Sequence, residues 1–215
     1  MKNKKSKSRC RLYLITPTKI IIDTFKDKLA TALDGGDVAC VQLRLKEAST
    51  GEVLRAIEVL APIVQEHNAA FILNDNPELA AQTGCDGVHI GQEDLAYDQA
   101  REIVGPNAII GVTCHDKRYL AIEAAEKGAD YIAFGAFFPT ITKKTKSQPE
   151  IDILKIWSTM TTVPCVAIGG ITHKNCPPLI QGGADFLAVI SAVWDYQAGP
   201  EASVKAFNEL INQNC

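Results

Sequence analysis

What most constrains the fold of this chain is a rhythm. A short apolar run is followed by a stretch with helical periodicity, and the pair recurs eight times. The runs are Leu12–Thr16, Ala39–Arg44, Ala70–Asn74, Gly87–Gly91, Ile109–Thr113, Tyr131–Gly135, Cys165–Gly169 and Phe186–Ser191, five or six residues each. They read as strands buried on both faces, as parallel strands covered by helices are. The stretches between them carry helix signals. Ser49 and Glu52 form a capping box ahead of VLRAIEVLAPIV, and Asp116 opens KRYLAIEAAEK, which Gly128 closes. Pro62 is expected to kink or end the second helix. Eight βα units in about 200 residues fit an α/β fold, a single (β/α)8 TIM barrel, although an open doubly wound sheet has the same local pattern. Gly-x-Asp before a strand, in GCDGVHI, GADYIAF and GADFLAV, favours eight like units around a ring.

At 215 residues and 47% hydrophobic content, with no Gly/Ser-rich or Pro-rich linker inside, the chain suits one domain. Six of the 22 basic residues and no acid lie in MKNKKSKSRCR, leaving 16 basic against 25 acidic residues in the rest. A body that acidic argues against nucleic acid as a partner. Residues 1–10 read as a basic, disordered leader, and residues 11–215 as the catalytic barrel. No apolar run approaches the roughly 18 residues of a membrane span, and no apolar signal segment follows the leader, so no membrane partner is expected. The seven cysteines are odd in number and contain no Cys-x-x-Cys pair. That argues against a disulfide framework and a zinc knuckle, and for a reducing, cytoplasmic location. Assembly into a homo-oligomer is left open.

In a barrel the chemistry belongs at the C-terminal ends of the strands. Strand two ends in Gln42, Arg44 and Lys46, which a period of two places on one side, opposite Val41, Leu43 and Leu45. A closed barrel has no solvated edge, so three long donors facing one way favour an anion site, Arg44 for bidentate phosphate contact and Lys46 as a point charge. Strand six ends in GAFFPTITKK, where Thr140, Thr142, Lys143 and Lys144 suit an oxyanion-binding loop, though an exposed Lys/Thr loop has the same composition. Gly169 and Gly170, and Ile190-Ser191-Ala192, end strands seven and eight, where barrels frequently hold a phosphate on backbone N–H groups.

Asp75 and Asp94 end strands three and four, neighbours about 5 Å apart in a sheet. Magnesium takes one or two carboxylates, completed by water and substrate phosphate, so one ion could meet both. Asp86 reads as a turn residue, and Glu93 as a solvated neighbour pointing away from Asp94. Cys114 and His115 are adjacent on strand five and point opposite ways, which argues against a Cys–His nucleophile.

The order QLRLK, NDNPELA, DGVHIGQED, IIGVTCH, GADYIAFGAFFPTITKK, VAIGGIT and GADFLAVISA resembles the thiamine-phosphate synthase family, also called thiamine-phosphate pyrophosphorylase, from Leu12 to Ala192. The resemblance implies a (β/α)8 barrel that joins 4-amino-2-methyl-5-(diphosphooxymethyl)pyrimidine to 4-methyl-5-(2-phosphooxyethyl)thiazole, or its carboxylated form, with loss of pyrophosphate. It assigns Gln42, Arg44, Lys46, Asn74, Thr113 and Lys143 to the pyrimidine diphosphate, with Arg44, Lys46, Thr113 and Lys143 as catalytic groups. It assigns Asp75 and Asp94 to Mg2+, and Thr140, Ile141, Thr142, Gly170, Ile190 and Ser191 to the thiazole phosphate. The implied mechanism is dissociative: pyrophosphate leaves a ring-stabilised cation, which the thiazole nitrogen captures. Thr113 stands where the family usually has Ser, Leu45 where Glu is common, Pro17 where the first strand often ends in Asp, and Ala136 where Pro is frequent. The rival readings are a thiazole tautomerase of the same barrel, for which a His at the position of His115 matters, and a non-catalytic regulator that binds thiamine precursors.

Overall fold

The computed structural model describes residues 9–140 and 148–215. Eight parallel strands close in chain order into a barrel. They are β1 (Arg11–Ile15), β2 (Val38–Leu43), β3 (Ala70–Asn74), β4 (Gly87–Ile90), β5 (Ile109–His115), β6 (Tyr131–Gly135), β7 (Cys165–Ile168) and β8 (Phe186–Val189). Pairing of β1 with β8, Leu12 opposite Leu187, completes the ring and rules out the open sheet. Around it lie α1 (Ile22–Asp34), α2 (Thr50–Glu66), α3 (Pro77–Thr83), α4 (Tyr97–Val104), α5 (Arg118–Lys127), α6 (Asp152–Met160), α7 (Pro177–Gly182), α8 (Ser191–Trp194) and α9 (Pro200–Asn214).

The period of two along each strand sorts its side chains into two cores. Leu12, Leu14, Val41, Leu43, Phe71 and Val88 face the helices and pack with residues such as Leu29, Leu60 and Phe207. Tyr13, Ile15, Cys40, Ile72, Tyr131, Ala133, Val166 and Ala188 fill the ring itself. The seven thiols are free, five of them buried.

Several local expectations change. Pro62 neither ends nor interrupts α2, which continues to Glu66, because Ile57, Leu60 and Val64 bury the helix on both sides of the missing N–H. The Ser49–Glu52 capping box is present. Asp116 makes no capping bond to α5, whose N-cap is Lys117, while Gly128 closes it at φ +99°. The eighth strand stops at Val189, since Ile190 turns the chain into the short α8. Cys10, assigned to the leader, is only 3% exposed and belongs to the core.

The Gly-x-Asp repeats act as clamps. Asp86, Asp130 and Asp185 each accept a hydrogen bond from a backbone N–H at the start of the strand before, namely Phe71 at 2.7 Å, Ile110 at 2.8 Å and Cys165 at 2.9 Å. Each aspartate also donates its own N–H to the carbonyl of the same residue. Asp37 holds β1 by another route, through the Arg11 guanidinium at 2.6 Å. These clamps sit at the N-terminal rim, away from the strand ends that carry chemistry. Asp130→Ala is therefore expected to cost about 2 kcal/mol by stranding the Ile110 amide and taking one of its partners from the Arg101 guanidinium, which donates to the same carboxylate at 2.8 Å. Denaturant unfolding measures that loss, and substrate KM values should stay at wild-type level.

Candidate active site

A cavity of about 260 Å³ opens at the C-terminal rim of the barrel. Gln42, Arg44, Lys46, Asn74, Asp75, Asp94, Thr113, Thr140 and Ile190 all line it. These side chains come from the ends of β2 to β6 and β8, so the closed topology collects residues spread over 149 positions of sequence. Ile141, Thr142 and Lys143 lie outside the described residues. Gly170 and Ser191 are not part of the wall; Gly169 and Ile190 take their places there.

The charged wall is built on β2 to β4. Lys46 Nζ donates to Asp75 Oδ2 at 2.8 Å. Asp75 adopts φ +66°, in the left-handed region, and its N–H is bonded to the His89 carbonyl at 2.8 Å. Asp94 is held by its own turn, since Oδ2 accepts the Gly91 N–H at 2.7 Å. The two carboxyls are close enough to share a proton. Desolvation against the wall and the neighbouring Asp75 charge push Asp94 up, against the pull of the Gly91 amide. For Asp75, burial acts upward too, but the Lys46 hydrogen bond and the contact with Asp94 outweigh it and hold it low. The two carboxyls form an all-oxygen donor set, one of them already paired with Lys46. That set fits magnesium, whose remaining positions go to water and phosphate.

Arg44 offers a donor suited to an anion. Its N–H is tied to Thr16 Oγ1 at 2.9 Å, while its buried Nη1 has no hydrogen-bond partner among the described residues. Burial lowers its pKa, and Asp75 counters in part. A guanidinium held half-buried with a spare donor beside a cavity is suited to a phosphate oxygen.

Other residues change standing. Asp86 is structural, as expected. Glu93 is exposed, as expected of a solvated neighbour, and also lines the cavity. His115 lines the cavity at φ +54°, where β5 shifts register against β6. Cys114 faces the outer core, fully buried, and its thiol is pushed up to about 12 by desolvation. A Cys–His nucleophile is thereby excluded. Sequence reasoning missed His89, buried and neutral, with its pKa lowered to about 4 by desolvation. The signal was available: in GVHI the period of two turns His89 to the same side as Gly91.

Gly170 has φ +62°, and a β-carbon there would fall 2.4 Å from the Pro139 carbonyl oxygen and 2.8 Å from that of Phe138. Its missing side chain makes room for the loop after β6. Gly170→Val is accordingly expected to destabilise the fold by at least about 2 kcal/mol and to impair both substrates alike. Thermal unfolding with separate saturation curves checks this, and a selective loss for one substrate would contradict it.

No described helix is long and apolar enough to cross a membrane. Residues 12–193 match the profile of a family described as thiamine monophosphate synthase. The chain is 60% identical over 202 residues to the thiamine-phosphate synthase of Rhodospirillum centenum, covering 94% of this chain and 98% of that protein. Identity to the thiamine-phosphate synthase of Hyphomonas neptunium is 47% over 211 residues, with 94% of each covered. The thiamine phosphate pyrophosphorylase structure from Pyrococcus furiosus superposes with a TM-score of 0.83 at 31% identity, over 96% of this chain and 98% of that one. With a closed barrel, this rim of acids and cations, and matches along nearly its whole length, the chain belongs to the thiamine monophosphate synthase family.

Proposed function

We propose that the protein is a transferase that joins the pyrimidine diphosphate to the thiazole phosphate, giving thiamine phosphate and pyrophosphate. The observation that carries the site assignment is Arg44 Nη1, buried and without a partner among the described residues, beside the Asp75–Asp94 pair. That combination suits a diphosphate delivered with a divalent cation. Asp75 and Asp94 would hold magnesium, which when bound supplies charge to stabilise the departing diphosphate.

The chain's own groups do the rest. Arg44 and Lys46, with Lys143, draw the diphosphate towards the β2–β4 rim and stabilise its charge as the C–O bond breaks. Gln42, Asn74 and Thr113 hold the pyrimidine ring across the cavity floor. Thr140, Ile141 and Thr142, together with the backbone around Gly170, Ile190 and Ser191, hold the thiazole phosphate so that its nitrogen meets the exposed methylene. No general base is required, in keeping with the absence of a thiolate at Cys114.

His115 in the cavity wall is the feature that would suit a tautomerase. Asp94 in contact with Asp75 favours the synthase, because a tautomerase has no diphosphate to expel. Incubating the protein with both precursors and magnesium, then analysing products by mass spectrometry, tests the reading. Thiamine phosphate is expected only when both precursors are present. Isomerised thiazole with no thiamine phosphate would establish the tautomerase, and no product at all the regulator.

A further inference from the structure

Beneath the cavity floor a line of hydrogen bonds crosses the inside of the barrel. Gln42 Nε2, on a side chain 3% exposed, donates to the Tyr13 hydroxyl at 3.1 Å. The Tyr13 and Tyr131 hydroxyls are 2.8 Å apart. The Tyr131 hydroxyl lies 3.0 Å from His89 Nδ1, and His89 Nε2 lies 2.8 Å from Thr113 Oγ1. Both end residues line the cavity, while the tyrosines do not. The barrel is shaped to hold this line. A β-carbon at Gly111 would fall 1.9 Å from Tyr131 Cζ, so glycine there is what admits the ring, which stacks on His89 at 5.6 Å between centroids. Packing alone does not ask for phenols, since phenylalanines would fill the same space.

Each inner link holds one proton, and with the Gln42 amide donating at one end a single order keeps both phenol protons on the line. Having accepted from Gln42, the Tyr13 hydroxyl gives its proton to Tyr131, and Tyr131 gives its own to Nδ1 of His89. The neutral imidazole then carries its proton on Nε2 and donates to Thr113 Oγ1. What remains for the cavity is the Gln42 carbonyl oxygen as an acceptor and the Thr113 hydroxyl proton as a donor. We infer that Tyr13, Tyr131 and His89 are positioning residues that fix this proton order, so that the site selects a ring bearing an amino group opposite Gln42 over one bearing an oxo group. The ring selection rests on the function proposed above; the proton order does not. The 4-amino group is the one N–H donor on the pyrimidine, and an oxo group in its place would set two acceptors face to face. Leaving that buried amide unanswered is a strong basis for discrimination.

Two measurements test the inference on the intact protein. Nitrogen-15 NMR, with the His89 signals assigned by their loss in His89→Gln, is expected to show Nε2 protonated and Nδ1 bare. The opposite tautomer would overturn the proton order. Calorimetry with magnesium then compares the pyrimidine diphosphate with its 4-oxo analogue. Tyr13→Phe, which severs the line at Gln42, is expected to lower the ratio of the two dissociation constants at least tenfold, with the affinity for magnesium pyrophosphate unchanged. A folded Tyr13→Phe protein with an unchanged ratio would overturn ring selection, as would equal weakening for pyrophosphate and both rings, the mark of a structural role. If that variant does not fold, Tyr131→Phe cuts the same line one link on with the same expectation. Wild-type protein that binds neither ring would overturn the proposed function and the ring selection together, while the tautomer result stands on its own.

Discussion

Arg44→Met is expected to lower kcat/KM for the pyrimidine diphosphate by about a thousandfold without lowering the unfolding temperature of the free protein. The two halves have one cause. Arg44 is partly desolvated, and its buried Nη1 has no partner among the described residues, a cost that a bound anion repays. Methionine keeps most of the stem's packing and removes the charge, which leaves stability level or slightly higher. Catalysis loses a charged donor where negative charge gathers on the leaving group. Arg44→Lys should recover little, since one ammonium cannot reproduce the forked geometry. Steady-state kinetics and thermal unfolding on the same preparation decide between roles. A drop of several degrees with unchanged kinetics would make Arg44 a structural residue.

Asp75→Asn and Asp94→Asn are each expected to cut turnover by about a hundredfold or more at limiting magnesium, with the fold preserved. Neither carboxylate supports the core. The Asp75 pair with Lys46 is partly exposed, and the Asp94 bond to the Gly91 amide can be accepted by the asparagine carbonyl. The pH dependence separates the two. In the wild type Asp94 is raised by desolvation and by the charge of Asp75, so as pH falls it takes a proton first and magnesium binding begins to weaken there. Asp75 is held low by Lys46 and by Asp94, so its protonation comes later. Removing Asp94 should therefore move the acid limb of magnesium binding downwards, while removing Asp75 should move it by a smaller step, because Asp94 loses the Asp75 charge but keeps its desolvation. Metal titrations at several pH values test this, and an unmoved limb in Asp94→Asn would dissociate that residue from the ion.

Much of this was legible in the sequence because a barrel repeats one unit. The eight apolar runs and the Gly-x-Asp turns carry the fold in local signals, and the same strand-end logic placed Gln42, Arg44, Lys46, Asn74, Asp75, Asp94 and Thr113 on one rim. What stayed hidden depends on contacts across the ring. Tyr13 and Tyr131 look like ordinary core aromatics until the barrel closes and sets them 2.8 Å apart. Why position 170 must be glycine, as Gly170 is, shows only when the loop after β6 packs against it. Pro62 breaks a helix by local rules, yet the buried face of α2 overrides it. His115 is visible as a polar strand end, but not the positive φ that brings it to the cavity.

The central claim is that the diphosphate leaves from the rim formed by Arg44, Lys46, Asp75 and Asp94. Pyrophosphate release, followed with both precursors present as free magnesium is varied by a chelator, tests it most directly. The expected result is one pyrophosphate for each thiamine phosphate formed, no release when magnesium is withdrawn, and a half-saturating magnesium concentration that rises in Asp75→Asn and Asp94→Asn. Full release in excess chelator, or an unchanged magnesium requirement in both variants, would contradict it.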